Sequence, residues 1–208
     1  MIVLKTHSEL ERMKKACRIS AESLSVAEEL IRPGITTREI DRAMHDFIVR
    51  SGAKPSFLGL YGFPASACIS VNDVVIHGIP GDYRLQEGDI VSIDVGACCD
   101  GFHGDNAYTF PVGQISEENQ RLLRVTQESL YKGIEAAVIG NRIGDISFAV
   151  QSHVTPYGFG IVRQFVGHGV GKALHEDPEV PNFGKAGHGP RLVEGMTIAI
   201  EPMITLEG

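Results

Sequence analysis

The composition is that of an ordinary globular protein. The chain has 208 residues and a formal charge of −7, with 43% hydrophobic and 22% charged residues. Proteins that bind nucleic acids without regard to sequence carry a basic stripe, so the acidic balance argues against direct nucleic-acid binding. The first 30 residues are interrupted by charges, which excludes a signal peptide or membrane span there and favours a cytoplasmic location.

Two capping boxes of the form Ser/Thr-x-x-Glu predict the starts of the first two helices. One amphipathic helix is predicted from Ser8 to about Pro33, and a second from Thr36 to about Ser51. Period-two alternation or short apolar runs then predict the strands 67–71, 74–77, 162–166 and 196–201.

A β-hairpin over residues 91–109 carries the first candidate site. Asp100-Gly101 predicts a two-residue turn, which sets Gly96 opposite Asp105 and leaves Asp94 on the same face as Asp105. Two carboxylates that are diagonal neighbours, about 7–8 Å apart at the backbone, repel each other unless a cation lies between them. Gly96 would leave room for such a cation. A surface hairpin with two solvated acids is the alternative interpretation.

The second half of the chain repeats the order of the first. A helix is predicted from Ser116 to Gly140, and an offset of 106 residues weakly aligns the two halves. We therefore predict a single domain made of two half-repeats, about 7–110 and 114–208, related by a pseudo-twofold axis. A site formed between such halves would take ligands from both.

Two further candidate ligands lie in the second half. His168 stands in Gly167-His168-Gly169-Val170-Gly171, where glycine on both sides leaves the imidazole unobstructed. Glu201 ends the predicted strand 196–201 on a face of small residues, and Pro202 holds it extended. A lone turn histidine is usually without function, but an acid at the end of such a face is a good metal ligand.

Asp94, Asp105, His168 and Glu201 form a set of carboxylates and one imidazole suited to two divalent first-row metals. Six motifs contain or accompany these ligands: Ile93-Asp94-Val95-Gly96, His103-Gly104-Asp105, Gly167-His168-Gly169-Val170-Gly171, Ile200-Glu201-Pro202-Met203, Val75-Ile76-His77-Gly78-Ile79-Pro80 and the run from His175 to Asn182. Through these motifs the chain resembles the methionine aminopeptidases, from about residue 3 to its end. The short stretch between His168 and Glu201 leaves no space for the long insertion of the eukaryotic and archaeal type, so the resemblance is to the type I, bacterial-like form.

The resemblance implies a duplicated pita-bread α/β (α+β) fold with an antiparallel sheet flanked by helices. It implies two divalent ions (Co, Mn, Fe, Zn or Ni), with Asp94 chelating one, Asp105 bridging both, and His168 and Glu201 binding the second. Glu201 would also help to activate the bridging water. The implied activity is removal of the N-terminal methionine from nascent proteins by attack of a metal-activated hydroxide on the first peptide bond. His77 and His175 would hydrogen-bond the scissile carbonyl or the developing amine.

The family's methionine pocket corresponds to Leu60, Phe63, Cys68 and Leu174. These side chains are apolar or soft, which suits a thioether, although core packing explains each of them equally well. Tyr61 departs from the histidine expected in many relatives, which leaves the contacts at the pocket rim open. All four cysteines, at 17, 68, 98 and 99, are interpreted as reduced thiols.

The family also has a fifth ligand, a glutamate on a later strand, and this sequence stops at Gly208 before that strand. The expectation is a C-terminally truncated enzyme that binds at most one metal tightly and has little activity. Glu207 is interpreted as a solvated acid and not as a substitute ligand. The expected partners are nascent polypeptide N-termini, with the ribosome as a candidate, and the chain is expected to be monomeric.

Two other functions remain open. One is a proline-directed peptidase of the same fold, such as a prolidase, although those relatives usually carry an additional N-terminal domain. The other is a non-catalytic protein that keeps the scaffold and recognises peptides or the ribosome. The four ligands and two histidines argue against this second function, and the absent fifth ligand argues for it.

Overall fold

The computed structural model describes residues 1–207 and divides into two compact units. The first unit contains residues 8–116 and 171–174, and the second contains residues 1–7, 117–170 and the chain from 175 onward. The helices are α1 (His7–Leu30), α2 (Thr37–Arg50), α3 (Glu117–Ala136) and α4 (Ile143–Val154). The strands are β1 (Lys54–Pro55), β2 (Ala67–Val71), β3 (Ile90–Cys99), β4 (Phe102–Pro111), β5 (Gly160–Ile161), β6 (Gly167–Gly169), β7 (Glu176–Val180) and β8 (Ile204–Thr205).

The capping-box prediction is right for the second helix and wrong for the first. Thr36 accepts a hydrogen bond from the Glu39 amide, and the Glu39 carboxylate accepts one from the Thr36 amide at 2.9 Å, so α2 begins as predicted. α1 begins one residue before Ser8, which therefore lies inside its first turn and is not the cap. The third predicted helix begins after Ser116 as expected but ends at Ala136, before Gly140.

The sheet of the first unit is organised around β3. β4 pairs with its whole length on one edge, while β2 and the short β1 pair with it on the other, all antiparallel. Val91, Ile93 and Val95 are fully buried against an apolar cluster that includes Ile40 and Met44 of α2. Burial of this alternating face places Ser92 and Asp94 on the opposite face of the sheet.

The predicted strand 74–77 is wrong, because these residues form a loop. Val74 and Val75 are 48% and 46% exposed, so the apolar run does not mark a buried strand. Gly78 lies directly on the β2 backbone and its carbonyl accepts a hydrogen bond from the Ile69 amide at 2.8 Å. His77 adopts a positive φ of 58°, which turns the chain out of the extended conformation.

In the second unit, the two predicted strands 162–166 and 196–201 are wrong, because neither range forms a strand. Residues 162–166 are irregular, and strand structure lies on either side of them in β5 and β6. The segment 196–201 pairs with β6 at one bridge, Gly169 with Ile198. Ile198 and Ile200 nevertheless pack on an apolar cluster of this unit.

Among residues 1–207, no helix is both long and apolar enough to cross a membrane. The four cysteines, all within this range, are free thiols.

Candidate metal centre

The β3–β4 hairpin has the predicted register. Asp100 and Gly101 adopt positive φ values of 52° and 79°, the conformation of a tight two-residue turn. Gly96 is directly opposite Asp105, and Asp94 is opposite Ala107. The two aspartates are therefore diagonal neighbours on one face of the first unit, as expected from the sequence.

The predicted role of Gly96, to leave room for a cation, is wrong. A Cβ atom at this position would lie 2.7 Å from Ser56 Cβ and 3.0 Å from Phe57, and the Ser56 amide donates to the Gly96 carbonyl at 2.9 Å. The space beside Gly96 is thus filled by residues 56–57 of the protein. The glycine allows a close approach of chain to sheet and does not reserve room for a cation.

A second glycine fixes the backbone next to Asp105. A Cβ atom on Gly104 would lie 2.3 Å from the amide nitrogen of Cys17 in α1, closer than real Cβ atoms approach other atoms. α1 therefore lies directly on β4 at this point. The sequence could not predict this contact, because the contact joins residues 87 positions apart.

This contact gives the first testable prediction. Gly104→Ala should lower the free energy of unfolding by at least about 2 kcal/mol, because backbone atoms cannot move aside as a flexible side chain can. In a protein of this size that corresponds to a fall of about 4–8 °C in Tm. Gly81→Ala is the matched control, since its Cβ would lie 3.9 Å from the nearest atom, and it should be close to neutral. Equal Tm values for the two variants would contradict the close approach.

In the second unit, His168 and Glu201 come together. His168 lies in β6, Glu201 follows the segment paired with it, and His168 Nε2 is 3.1 Å from Glu201 Oε1. The Glu201 Oε1 atom is buried and makes no hydrogen bond among the described residues. His168 Nδ1 lies 2.7 Å from the Gly169 carbonyl, which can only accept, so Nδ1 carries the proton.

His168 Nε2 and Glu201 Oε1 are arranged as two ligand atoms of one metal ion would be. With the proton on Nδ1, the neutral imidazole presents the Nε2 lone pair to a carboxylate oxygen at contact distance. Two such acceptors repel each other, and a buried acceptor without a donor costs free energy. A cation bound by both atoms removes both penalties, and the Gly169 carbonyl orients the ring as partners of ligating histidines do. The pair therefore suits a divalent ion.

The two other histidines lie in different surroundings. His175, just before β7, packs edge-on against His168 with ring centres 4.5 Å apart. His77 lies in the first unit, exposed, in the loop where its φ is positive. A non-glycine residue in that conformation is uncommon, and such residues cluster at functional sites.

The residues expected to form the methionine pocket all lie in the first unit and contact one another. Cys68 and Leu174 are buried in one apolar cluster, with Leu60 and Phe63 packed against it half-buried. Phe57 is the further member of this cluster, and no pattern in the sequence marked it. Burial, followed by the nearby carboxylates of Asp94, Asp105 and Asp41, raises the pKa of the Cys68 thiol to about 12. The thiol is therefore neutral at physiological pH and behaves as a soft apolar group.

Tyr61, the position that departs from the family, lies beside this cluster. Its side chain is 90% exposed and its φ is 49°, between Leu60 and the positive-φ Gly62. The tyrosine is thus an exposed residue in an unfavourable backbone conformation.

The chain matches the model of metallopeptidase family M24 over residues 11–208. It is 58% identical over 206 residues to the methionine aminopeptidase of Clostridium perfringens, covering 99% of this chain and 83% of the relative. It is 50% identical to methionine aminopeptidase 1 of Bacillus subtilis, covering 98% and 82%.

Solved structures agree with these relatives. The methionine aminopeptidase of Rickettsia prowazekii superposes with a TM-score of 0.98 at 38% identity, covering 100% of this chain and 84% of that one. The prolidase of Pyrococcus furiosus superposes with a TM-score of 0.84 at 30% identity, but this chain covers only 57% of it. The expected pita-bread fold, with its mixture of helices and antiparallel sheet, is therefore confirmed. The chain belongs to metallopeptidase family M24 and, within it, to the bacterial type I-like methionine aminopeptidases, metallohydrolases that remove N-terminal methionine from polypeptides.

Proposed function

We propose that the protein performs this reaction with two divalent metal ions bound by Asp94, Asp105, His168 and Glu201. Asp94 would chelate one ion, Asp105 would bridge both, and His168 and Glu201 would bind the second. The observation that carries the proposal is the convergence of two ligand atoms, His168 Nε2 and the buried Glu201 Oε1, which lie 3.1 Å apart. The two diagonal aspartates on the hairpin supply the second source of negative charge.

When bound, the metals would supply a water of lowered pKa as the nucleophile and a positive charge against the developing oxyanion. The protein side chains would do the rest. Glu201 would accept the proton of the attacking water as the nucleophile forms. His77 and His175 would donate hydrogen bonds to the scissile carbonyl or the departing amine, and such donors stabilise the transition state more than the substrate.

Specificity would come from the apolar cluster of the first unit. Leu60, Phe63, Cys68 and Leu174 present carbon and sulfur atoms to the methionine side chain, with the Cys68 thiol neutral. A thioether loses little on leaving water, whereas a lysine or glutamate side chain would be buried without a partner. We infer that charged first residues are rejected.

The proposed function is tested by counting bound metal and measuring released amino acid. The metal-free protein should regain hydrolysis of a Met-Ala peptide as Co²⁺ or Mn²⁺ is added. It should remain inactive on peptides beginning with Lys or Glu. Cleavage of an Ala-Pro peptide in preference to Met-Ala would instead indicate a prolidase, and tight peptide binding without cleavage at any metal concentration would indicate a binding protein.

His77 and His175 give a separate prediction. His77→Ala and His175→Ala should each lower kcat by about 100-fold, the usual loss on removing one transition-state donor, with metal content unchanged. His188→Ala, which removes an exposed histidine of the second unit, is the control and should leave both quantities unchanged. Loss of metal in either of the first two variants would make that histidine a ligand and refute its proposed role.

We further propose that the substrates are nascent chains in the cytoplasm and that the protein acts as a monomer near the ribosome. The acidic composition without a basic stripe disfavours direct binding to RNA, so the association with the ribosome would be through the nascent chain. Sedimentation of the protein with and without ribosomes carrying short nascent chains tests the association. Binding to vacant ribosomes that weakens steeply with salt would contradict it, because that behaviour indicates contact with RNA phosphates.

A further inference from the structure

Asn182 is a buried amide that contacts the backbone of Glu201. It follows β7 by two residues and is 1% exposed. Its Nδ2 donates a hydrogen bond of 2.6 Å to the Glu201 carbonyl oxygen. The orientation of the amide follows from this bond, because the carbonyl can only accept and the NH₂ group must therefore face it.

Glu201 occupies a gap in the backbone pairing of the second unit. Before it, Ala199 and His168 exchange two backbone hydrogen bonds of 2.7 and 3.2 Å. After it, the Met203 carbonyl accepts from the Val162 amide at 3.0 Å. Pro202 has no amide proton to donate. The Asn182 side-chain amide thus holds the Glu201–Pro202 peptide, which lies between the hydrogen-bonded residues Ala199 and Met203.

The other end of the Asn182 side chain is unsatisfied. Its Oδ1 atom is buried and accepts no hydrogen bond from any described residue. An acceptor in that state costs about 1–3 kcal/mol, comparable to the gain from the bond made by Nδ2. Asn182 therefore contributes little net stability, and an apolar side chain of similar volume would serve a purely structural role equally well.

We propose that Asn182 is a positioning residue for the metal centre. Asn182 fixes the Glu201 carbonyl through its hydrogen bond, and this fixes the backbone that carries the Glu201 side chain. The Oε1 atom of that side chain lies 3.1 Å from His168 Nε2. The effect of Asn182 is on the affinity and coordination geometry of the ion that this pair binds. The inference rests on the proposed ligand roles of His168 and Glu201.

The test compares three variants of the full chain. Asn182→Leu removes the donor and the unsatisfied acceptor and keeps the number and branching of the side-chain heavy atoms. Asn182→Ala removes the donor and the acceptor without any risk of overpacking. The matched control is Asn141→Leu, because Asn141 Nδ2 makes the same kind of bond, 2.9 Å to the Ala136 carbonyl at the end of α3. The measurements are the Kd for Co²⁺ by calorimetry, the visible absorption of the Co²⁺-loaded protein, and the Tm of the metal-free protein.

Both Asn182 variants should bind Co²⁺ about 10–100-fold more weakly, as is usual when a partner of a ligand is lost. Their Co²⁺ absorption bands should shift, and the Tm of metal-free Asn182→Leu should stay within about 2 °C of the parent, which corresponds to less than about 1 kcal/mol. Asn141→Leu should lower the Tm and leave the Kd and the bands unchanged.

If the parent binds Co²⁺ and both Asn182 variants bind it with an affinity within about threefold of the parent's, this inference alone is overturned. An equal loss of affinity in Asn141→Leu would also overturn it, because the loss would then follow general destabilisation. A parent that binds no Co²⁺ would refute the proposed ligand set and this inference together.

Discussion

His168→Ala should lower Co²⁺ affinity by more than about 100-fold and abolish methionine release, because partners of ligands already cost about 10–100-fold when removed. The substitution deletes the only nitrogen ligand of the proposed set and leaves the buried Glu201 Oε1 facing an empty space.

The control for this variant is His153→Ala. His153 is also a histidine of the second unit, and its Nε2 lies 3.0 Å from a carboxylate oxygen, Glu128 Oε2. Unlike Glu201, Glu128 also forms an ion pair with an arginine, Arg124. Its removal should leave Co²⁺ affinity and methionine release unchanged. Retention of the parent's metal content in His168→Ala would remove His168 from the ligand set.

The features predicted correctly depend on local chemistry. The turn at Asp100-Gly101 requires two residues that tolerate positive φ, and once it is placed, the two-residue period of β3 and β4 determines the register. The capping box of Thr36 and Glu39 joins groups three residues apart. For these elements the residues that decide the structure are neighbours in the sequence.

The incorrect predictions concern long-range contacts. Residues 74–77 have the composition of a strand, but the close approach of Gly78 to the Ile69 backbone turns the chain away. Gly96 is indistinguishable in sequence from a glycine that makes room for a ligand, and only the structure shows Ser56 against it. Asn182 has no periodic pattern around it, and its burial depends on the Glu201 segment 19 residues later.

The ligand candidates were identified by a combination of local pattern and family resemblance. That Asp94 and Asp105 lie on one face follows from the hairpin register alone. His168 was marked only by its flanking glycines, one of which, Gly169, is required because a Cβ there would lie 2.2 Å from the Asp177 carbonyl. The pairing of His168 with Glu201 joins an element of three strand residues to a largely irregular segment, so periodicity could not predict it.

Asp105→Asn should abolish binding of both metals. The amide keeps the size of the carboxylate and the hairpin register, but removes one negative charge from a site proposed to hold up to four positive charges. Repulsion between two divalent cations grows as the charge between them falls, so a bridging ligand should matter more than a terminal one. We expect loss of more than about 100-fold in Co²⁺ affinity, with thermal unfolding of the metal-free protein unchanged or raised, because Asp94 no longer has a like charge as its diagonal neighbour.

Asp100→Asn is the matched control on the same hairpin. Asp100 lies in the turn, where its exposed carboxylate pairs with Lys15 at 3.2 Å, and exposed pairs of this kind contribute little. Asparagine also tolerates the positive φ of this position, so the turn should form as before. The Asp100 variant should bind as much Co²⁺ as the parent and with the parent's affinity, and the Asp105 variant should bind none tightly. Equal metal content in both variants would exclude Asp105 as a bridging ligand.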